Sequence, residues 1–220
     1  MRYKAVIFDM DGTILDTLDD LAGSVNHALE CYGFPLRSRE EIRSFLGNCM
    51  AQLIRLSVPE NTSPDQEKSV LEEHKRYYPL HSAEKTKAYE GIPELLGILK
   101  SAGIKTAVVS NKRDENVKAL VNKYFPGLFD VSVGSRDGIP RKPAKDLVDI
   151  ALQELGIVKE DSIYIGDSDV DVATAKNSGL DMITVLWGFR DRKVLEKCGV
   201  TVFAENADEL KNLLFGINLK

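Results

Sequence analysis

Residues 5–13 read Ala5-Val6-Ile7-Phe8-Asp9-Met10-Asp11-Gly12-Thr13, four apolar residues running without a break into two carboxylates and a turn. A short continuous apolar run predicts a strand buried on both faces, because a strand with one wet face would alternate. Further candidate strands, β-rich though with polar residues among the apolar ones, lie at 105–109, 129–133, 162–165, 182–186 and 200–203. Helical patterns separate them. One spans 92–102, with Pro93 in its first turn and Gly103 as its stop. This alternation predicts an α/β fold, a Rossmann-like, mostly parallel sheet whose right-handed crossovers put helices on both faces.

The alternation fails from about Ile14 to Lys87, where no strand is predicted. Leu18, Leu21, Ala22, Val25, Ala28, Leu29 and Tyr32 recur at the spacing of one helix face, and Gly33 with Pro35 ends that helix. Ser38 and Glu41 form a capping-box pattern for the next helix. A loop at 59–64 precedes a charged helix through 68–78. The expected organisation is a core of residues 1–14 and 87–220 with an inserted all-α cap domain at 15–86. The insert holds 8 basic against 12 acidic residues, a poor surface for a polyanion.

The whole chain has 220 residues, with 29 basic against 34 acidic and a net charge of −5. A mildly acidic protein gains nothing from phosphate-backbone attraction, so no nucleic-acid partner is expected. Cys31, Cys49 and Cys198 are too few and too scattered for a disulfide framework or a C-x-x-C site, and are read as buried or half-buried free thiols. Four apolar residues before Asp9 are too few for a signal peptide, and no run approaches a membrane span. A cytoplasmic protein with no membrane partner is expected. Nothing in the sequence fixes an oligomeric state.

In parallel sheets, ligands bind beyond the carboxyl ends of the strands, so the residues that follow each run decide the chemistry. Asp9-Met10-Asp11-Gly12-Thr13 follows the first run, Ser110-Asn111-Lys112 the second and Gly166-Asp167-Ser168-Asp169-Val170-Asp171 the fourth. Arg141-Lys142-Pro143 lies in the loop after 129–133. Acidic, hydroxyl-bearing and basic loops on one rim suit a divalent cation beside a phosphate. Each piece alone has a plainer reading: Asp-Gly as a turn, Ser-Asn-Lys as a helix cap, Lys142 as a solvated loop charge, Asp169 and Asp171 as partners of a helix dipole. An EF-hand reading of Asp167, Asp169 and Asp171 fails, because Val172 and Ser178 stand where its glycine and glutamate belong. No P-loop motif is present. His27, His74 and His81 all fall in the insert and are read as surface or packing residues rather than as a triad or zinc site.

Taken together, Asp9-Met10-Asp11-Gly12-Thr13, Ser110-Asn111-Lys112, Lys142-Pro143 and Gly166-Asp167-Ser168-x-x-Asp171 resemble the motif set of the haloacid-dehalogenase-like superfamily, over essentially the whole chain. Tyr89-Glu90-Gly91-Ile92, Leu46-Gly47-Asn48 and Trp187-Gly188-Phe189-Arg190 resemble its phosphoglycolate-phosphatase-like members. One departure is Lys142-Pro143-Ala144-Lys145, where the family often reads K-P-x-P.

The resemblance implies a Mg2+-dependent phosphatase that hydrolyses a small phosphorylated metabolite through an aspartyl-phosphate. Asp9 would be the nucleophile and Asp11 the acid and base. The Asp9 carboxylate, the Asp11 main-chain carbonyl and Asp167 would hold the metal, with Asp171 and Thr13 supporting them. Ser110, Asn111 and Lys142 would hold the phosphoryl oxygens, Lys142 also keeping Asp9 charged. Gly47 and Asn48 are the candidate substrate contacts in the cap. The rivals are a β-phosphoglucomutase-type isomerase and a non-catalytic phosphate-binding module. An arginine after the cap glycine would mark the isomerase, and here Asn48-Cys49-Met50 follows Gly47. The module would lack one of Asp9, Asp11, Lys142 or Asp167, and all four are present.

Overall fold

The computed structural model describes residues 2–47 and 49–216. β1 (Ala5–Phe8) is the centre of a six-stranded sheet with β4 (Lys105–Arg113), β5 (Val131–Ser135), β6 (Ser162–Gly166), β7 (Asp181–Val185) and β8 (Phe203–Ala204). Their order is β5-β4-β1-β6-β7-β8, and every pairing is parallel. All four residues of β1 are buried, as a strand covered on both faces requires.

Register sets the rim. Phe8 pairs with Val108 on one side and Ile165 on the other, so Asp9, Val109 and Gly166 follow at one level, while β4 continues beyond it to Arg113. After β1 the chain winds outward to β4 and β5, then returns to β6 and winds the other way. The reversal leaves a crevice beyond the carboxyl ends of β1 and β6, where Asp9 and Asp167 stand.

The crossovers are α5 (Ile92–Ser101), α6 (Asp114–Tyr124), α7 (Asp146–Leu155), α8 (Asp169–Ser178) and α9 (Arg192–Lys197), with α10 (Ala207–Gly216) last. α7 packs Leu147, Val148, Ala151 and Leu152 on the sheet face carrying Ile7, Ala107, Val109, Val133 and Tyr164. Side chains two apart share a strand face, so Val6 and Phe8 serve the other side.

Asp16–Lys87 forms a separate compact unit. It contains α1 (Leu18–Cys31), α2 (Arg39–Phe45), α3 (Met50–Ser57) and α4 (Pro64–His81). Two-residue strands β2 (Leu15–Asp16) and β3 (Lys87–Ala88) pair where the chain enters and leaves it. Leu18, Leu21, Ala22, Val25, Ala28 and Leu29 form the buried face of α1. Ser38 and Glu41 make the capping box of α2, and Ser63 with Gln66 makes another at α4.

Several expectations are corrected. Ser110, Asn111 and Lys112 are not a loop but the end of β4, whose pairing with β5 slips between Val109 and Arg113. β2 and β3 interrupt a stretch predicted to be free of strands. Tyr32 lies past the end of α1 and is exposed. Cys31 and Cys198 are exposed and only Cys49 is half-buried, because both exposed thiols sit at helix ends rather than on a packed face.

Asp20 closes the return of the insert. Its buried carboxylate accepts from the backbone N–H groups of Glu84, Lys85 and Thr86 at 2.8–3.1 Å. Hydrogen bonds to a charged acceptor each contribute more than neutral ones, and buried N–H groups left unpaired are costly. Asp20→Ala is expected to lower stability by about 2–3 kcal/mol, read from urea unfolding, with Asp20→Asn losing less. An unchanged midpoint would contradict this account.

Candidate active site

The chain leaves β1 with the Asp9 N–H donating to the Ile165 carbonyl at 2.8 Å, which locks the first loop to β6. The loop then wraps on one acceptor, the Met10 carbonyl, which receives the N–H groups of Thr13, Ile14 and Leu15. Gly12 makes the turn with φ +89°, a conformation that side-chain-bearing residues rarely adopt. A Cβ at Gly12 would stand 2.4 Å from Asp167 Oδ2, so the loop lies flat against that carboxylate.

Lys142 is the centre of the cluster. Its Nζ lies 2.5 Å from Asp9 Oδ1, 2.8 Å from Asp171 Oδ1 and 3.0 Å from the Tyr164 hydroxyl, and its side chain is 4% exposed. The Lys142–Pro143 peptide is cis. Asn111 fixes the Lys142 backbone at both ends: its amide donates to the Lys142 carbonyl at 3.0 Å and its Oδ1 accepts the Lys142 N–H at 2.8 Å. Asn111 therefore sets the lysine in this structure instead of presenting a free amide to a phosphate. Ser110 is buried and accepts the Lys112 N–H at 3.2 Å.

Asp171 is held by the start of its own helix. Ser168 and Asp171 form the capping box of α8, and Asp171 Oδ2 accepts from the N–H groups of Asp167 and Ser168 and from the Ser168 hydroxyl. Oδ1 receives Lys142 and the Tyr164 hydroxyl, so both oxygens are engaged. Asp167 faces the loop: Oδ1 lies 3.2 Å from the Thr13 hydroxyl and Oδ2 accepts the Phe189 N–H at 2.6 Å. The same Thr13 hydroxyl lies 3.4 Å from Asp9 Oδ2 and so joins the two carboxylates.

The charges do not balance locally. Asp9, Asp167 and Asp171 bring carboxylate oxygens within 4.8 Å of one another, against one lysine. Burial pushes the Asp9 carboxyl well up; Lys142 pulls it down, but Asp171, Asp167 and Asp11 push it up again. Among its neighbours, Lys142 is the group that favours the ionised form of Asp9. Burial, and then the Asp171 charge, raises Asp167 to about 7. Burial also opposes the charged form of Asp171, yet Lys142 and its hydrogen bonds hold that carboxyl below its ordinary value. Lys142 in turn is raised despite burial, by Asp171 and Asp9. This set lacks positive charge and offers only oxygen donors, which fits a small hard dication.

The structure thus brings together Asp9, Thr13, Lys142, Asp167 and Asp171, with Asn111 behind Lys142. The Asp11 carboxylate is not in that group; it pairs with the buried Lys112 at 3.2 Å. Gly47 lies in the turn after α2 of the insert, and Asn48 is outside the described residues. Sequence reasoning passed over four contributors. Lys112 was quoted without a role. Tyr164 read as core, although a buried tyrosine hydroxyl calls for a partner. Ser168 with an acidic residue three positions on was a readable cap. Gly188 was quoted only as part of a family cue, because its importance lies in proximity: a Cβ there would stand 2.3 Å from Asp167 Cβ and 2.5 Å from the Gly12 carbonyl.

A parallel sheet places a buried lysine among aspartates at its reversal point. Comparison with known proteins gives the family. The sequence profile of haloacid dehalogenase-like hydrolases matches residues 6–185, and the chain belongs to that family. A phosphoglycolate phosphatase of Chromobacterium violaceum is 31% identical over 96% of this chain and 98% of its own. A candidate pyrophosphatase of Caldanaerobacter subterraneus is also 31% identical, over 98% and 96%. A crystal structure described as a candidate phosphoglycolate phosphatase from Lactobacillus delbrueckii matches with a TM-score of 0.94 at 39% identity, covering 99% of this chain and 100% of that one. The chain is a hydrolase. No helix among the described residues is long and apolar enough to cross a membrane.

Gly188→Ala is expected to force Asp167 and the Gly12 loop apart and to cost roughly 1–3 kcal/mol, as overpacking does. Gly97→Ala in α5, where nothing lies within 4 Å of the added methyl, is the control and should stabilise by up to about 1 kcal/mol. Thermal unfolding of both variants reads the difference. Equal behaviour would show that Gly188 is not packed on the carboxylate.

Proposed function

We propose that this hydrolase cleaves small phosphate monoesters, phosphoglycolate-like in class, through a phosphorylated Asp9. The observation that carries the reading is Lys142 Nζ, buried and held between Asp9 and Asp171 beside the Asp167 carboxylate. A phosphate ester repels nucleophiles, so attack by a carboxylate needs local positive charge and in-line placement. Mg2+ fits the donor set, with Asp9, Asp167 and the Asp11 main-chain carbonyl as holders and Asp171 behind them, and when bound it offsets the charge of the phosphoryl oxygens.

The chain's own residues supply the rest. An Asp9 oxygen bonds to phosphorus as the ester P–O bond breaks, and Asp11 gives its proton to the leaving oxygen. Water then attacks the phosphorus of the aspartyl-phosphate, Asp11 takes a proton from it, and inorganic phosphate leaves with Asp9 restored. Splitting the transfer in two lets one carboxyl act as acid and then as base. Lys142 meets the phosphoryl charge as it grows, and Lys112 gives the Asp11 carboxylate a fixed position. Ser110 is a candidate partner for a phosphoryl oxygen. Selection by leaving-group size is assigned to the helical insert, with the turn at Gly47 and Asn48 as the candidate contact. A small phosphorylated metabolite is the expected partner, and a cytoplasmic setting suits it.

Phosphate release from phosphoglycolate, pyrophosphate, sugar phosphates and an aryl phosphate tests the reading. Turnover is expected with Mg2+ and not after exhaustive chelation. Asp9→Asn should be inactive on every substrate. Asp11→Asn should lose roughly 10²–10⁴-fold, the usual worth of general acid–base catalysis, and less on the aryl phosphate, whose leaving group needs little protonation. Activity in Asp9→Asn, or full activity without divalent metal, would overturn it.

A pH dependence follows from Asp167. Its carboxyl, raised to about 7, is protonated below that value and ionised above it. A cation must displace the proton at low pH, so affinity rises as pH climbs through about 7. Mg2+ should raise the melting temperature more at pH 8 than at pH 6; an equal or reversed shift would exclude Asp167 from the metal site.

A further inference from the structure

Two packed helices of the insert, α1 and α4, place a second set of ligand-type side chains together, none of them shared with the aspartate cluster. His27 and Cys31 lie one turn apart on α1, and Glu73 lies on α4. His27 Nε2 stands 3.0 Å from Glu73 Oε1 and 3.6 Å from Cys31 Sγ. All three ligand atoms fall within 4.8 Å of one another. Tyr77, one turn beyond Glu73, stacks on the His27 ring with centroids 3.7 Å apart and planes 16° apart, fixing the direction of the imidazole.

We propose that His27, Cys31 and Glu73 form a site for a thiophilic transition-metal dication, Zn2+ in class, on the helical insert. A tetrahedral zinc with Zn–N of about 2.0–2.1 Å and Zn–S of about 2.3 Å separates its nitrogen and sulfur by roughly 3.6 Å. The Nε2–Sγ distance already has that value, and the Nε2–Oε1 distance would open by roughly 0.4 Å. Imidazole and thiolate donors favour zinc-like ions, whereas the all-oxygen cluster in the core favours magnesium, so the two sites would sort metals by donor chemistry. Three protein ligands leave the fourth position to water. Cys31 is exposed, so its thiol proton can pass to solvent as the metal–sulfur bond forms.

Arg76 is the internal competitor. Its guanidinium donates to Glu73 Oε1 at 2.6 Å and Oε2 at 3.0 Å, and these bonds, followed by the one from His27, hold the Glu73 carboxyl below its ordinary value. Metal binding must take one of those oxygens from the arginine. Removing Arg76 frees both Glu73 oxygens, so a metal held by His27, Cys31 and Glu73 would bind more tightly without it.

Cobalt titration of the whole protein, followed by zinc competition, tests the site. One equivalent of Co2+ should produce a thiolate-to-metal charge-transfer band that Zn2+ abolishes, a signal the aspartate cluster cannot give because it has no sulfur. Cys31→Ser should remove the band and weaken Zn2+ at this site by roughly 100-fold, at least the cost of disturbing a ligand's support. Cys198→Ser should leave both unchanged, His27→Gln should behave as Cys31→Ser, and Arg76→Ala should tighten Zn2+ several-fold. Circular dichroism confirms that each variant is folded. A wild-type protein without the band, a band surviving in Cys31→Ser, or weaker binding in Arg76→Ala would overturn the proposal.

Discussion

The contact on which the site depends is the ammonium of Lys142 set between Asp9 and Asp171. A buried ion costs several kcal/mol in lost hydration unless its partners are close and themselves satisfied. Here the backbone of Lys142 is clamped by Asn111, and Asp171 is fixed by the capping box at the start of α8. The Tyr164 hydroxyl touches both ion-pair partners from the strand between them. The lysine is therefore placed by three separate elements, β4, β6 and α8, and no one of them could hold it alone.

That arrangement explains the sheet order in functional terms. β1 must lie between β4 and β6 for Asp9 to meet Asn111's lysine on one side and Asp167 on the other. Parallel pairing brings the carboxyl ends of β1 and β6 level, with β4 running on past them to carry Ser110 and Asn111, and the reversal of winding opens the space above. The excess of carboxylates over cations is then a feature of use. Burial and the neighbouring carboxylates raise Asp9 and Asp167, while Lys142 holds Asp171 low, so the cluster favours the arrival of further positive charge.

Much of the core was legible in the sequence, because β1 is an unbroken apolar run and both it and β6 lead directly into an aspartate. The end of β4 was not: Ser110-Asn111-Lys112 carries no strand propensity, and pairing with β5 extends the strand over it. Roles that depend on distant contacts were also hidden. Asn111 and Lys142 are joined across the sheet rim, and Gly188 matters only because Asp167 is pressed against it. Cys31 read as a buried or half-buried thiol, but it closes α1 at the surface beside His27, and the glutamate facing it lies on α4. Local pattern placed the elements; the partners of individual polar groups came from tertiary packing.

The most direct test of the account is the identity of the phosphorylated atom. Rapid quenching during turnover, followed by peptide mapping of the trapped protein, reads it without reference to rate. The account predicts an acid-stable, base-labile acyl phosphate on the peptide containing Asp9. Label on a serine, a histidine or a carboxylate other than Asp9 would contradict it.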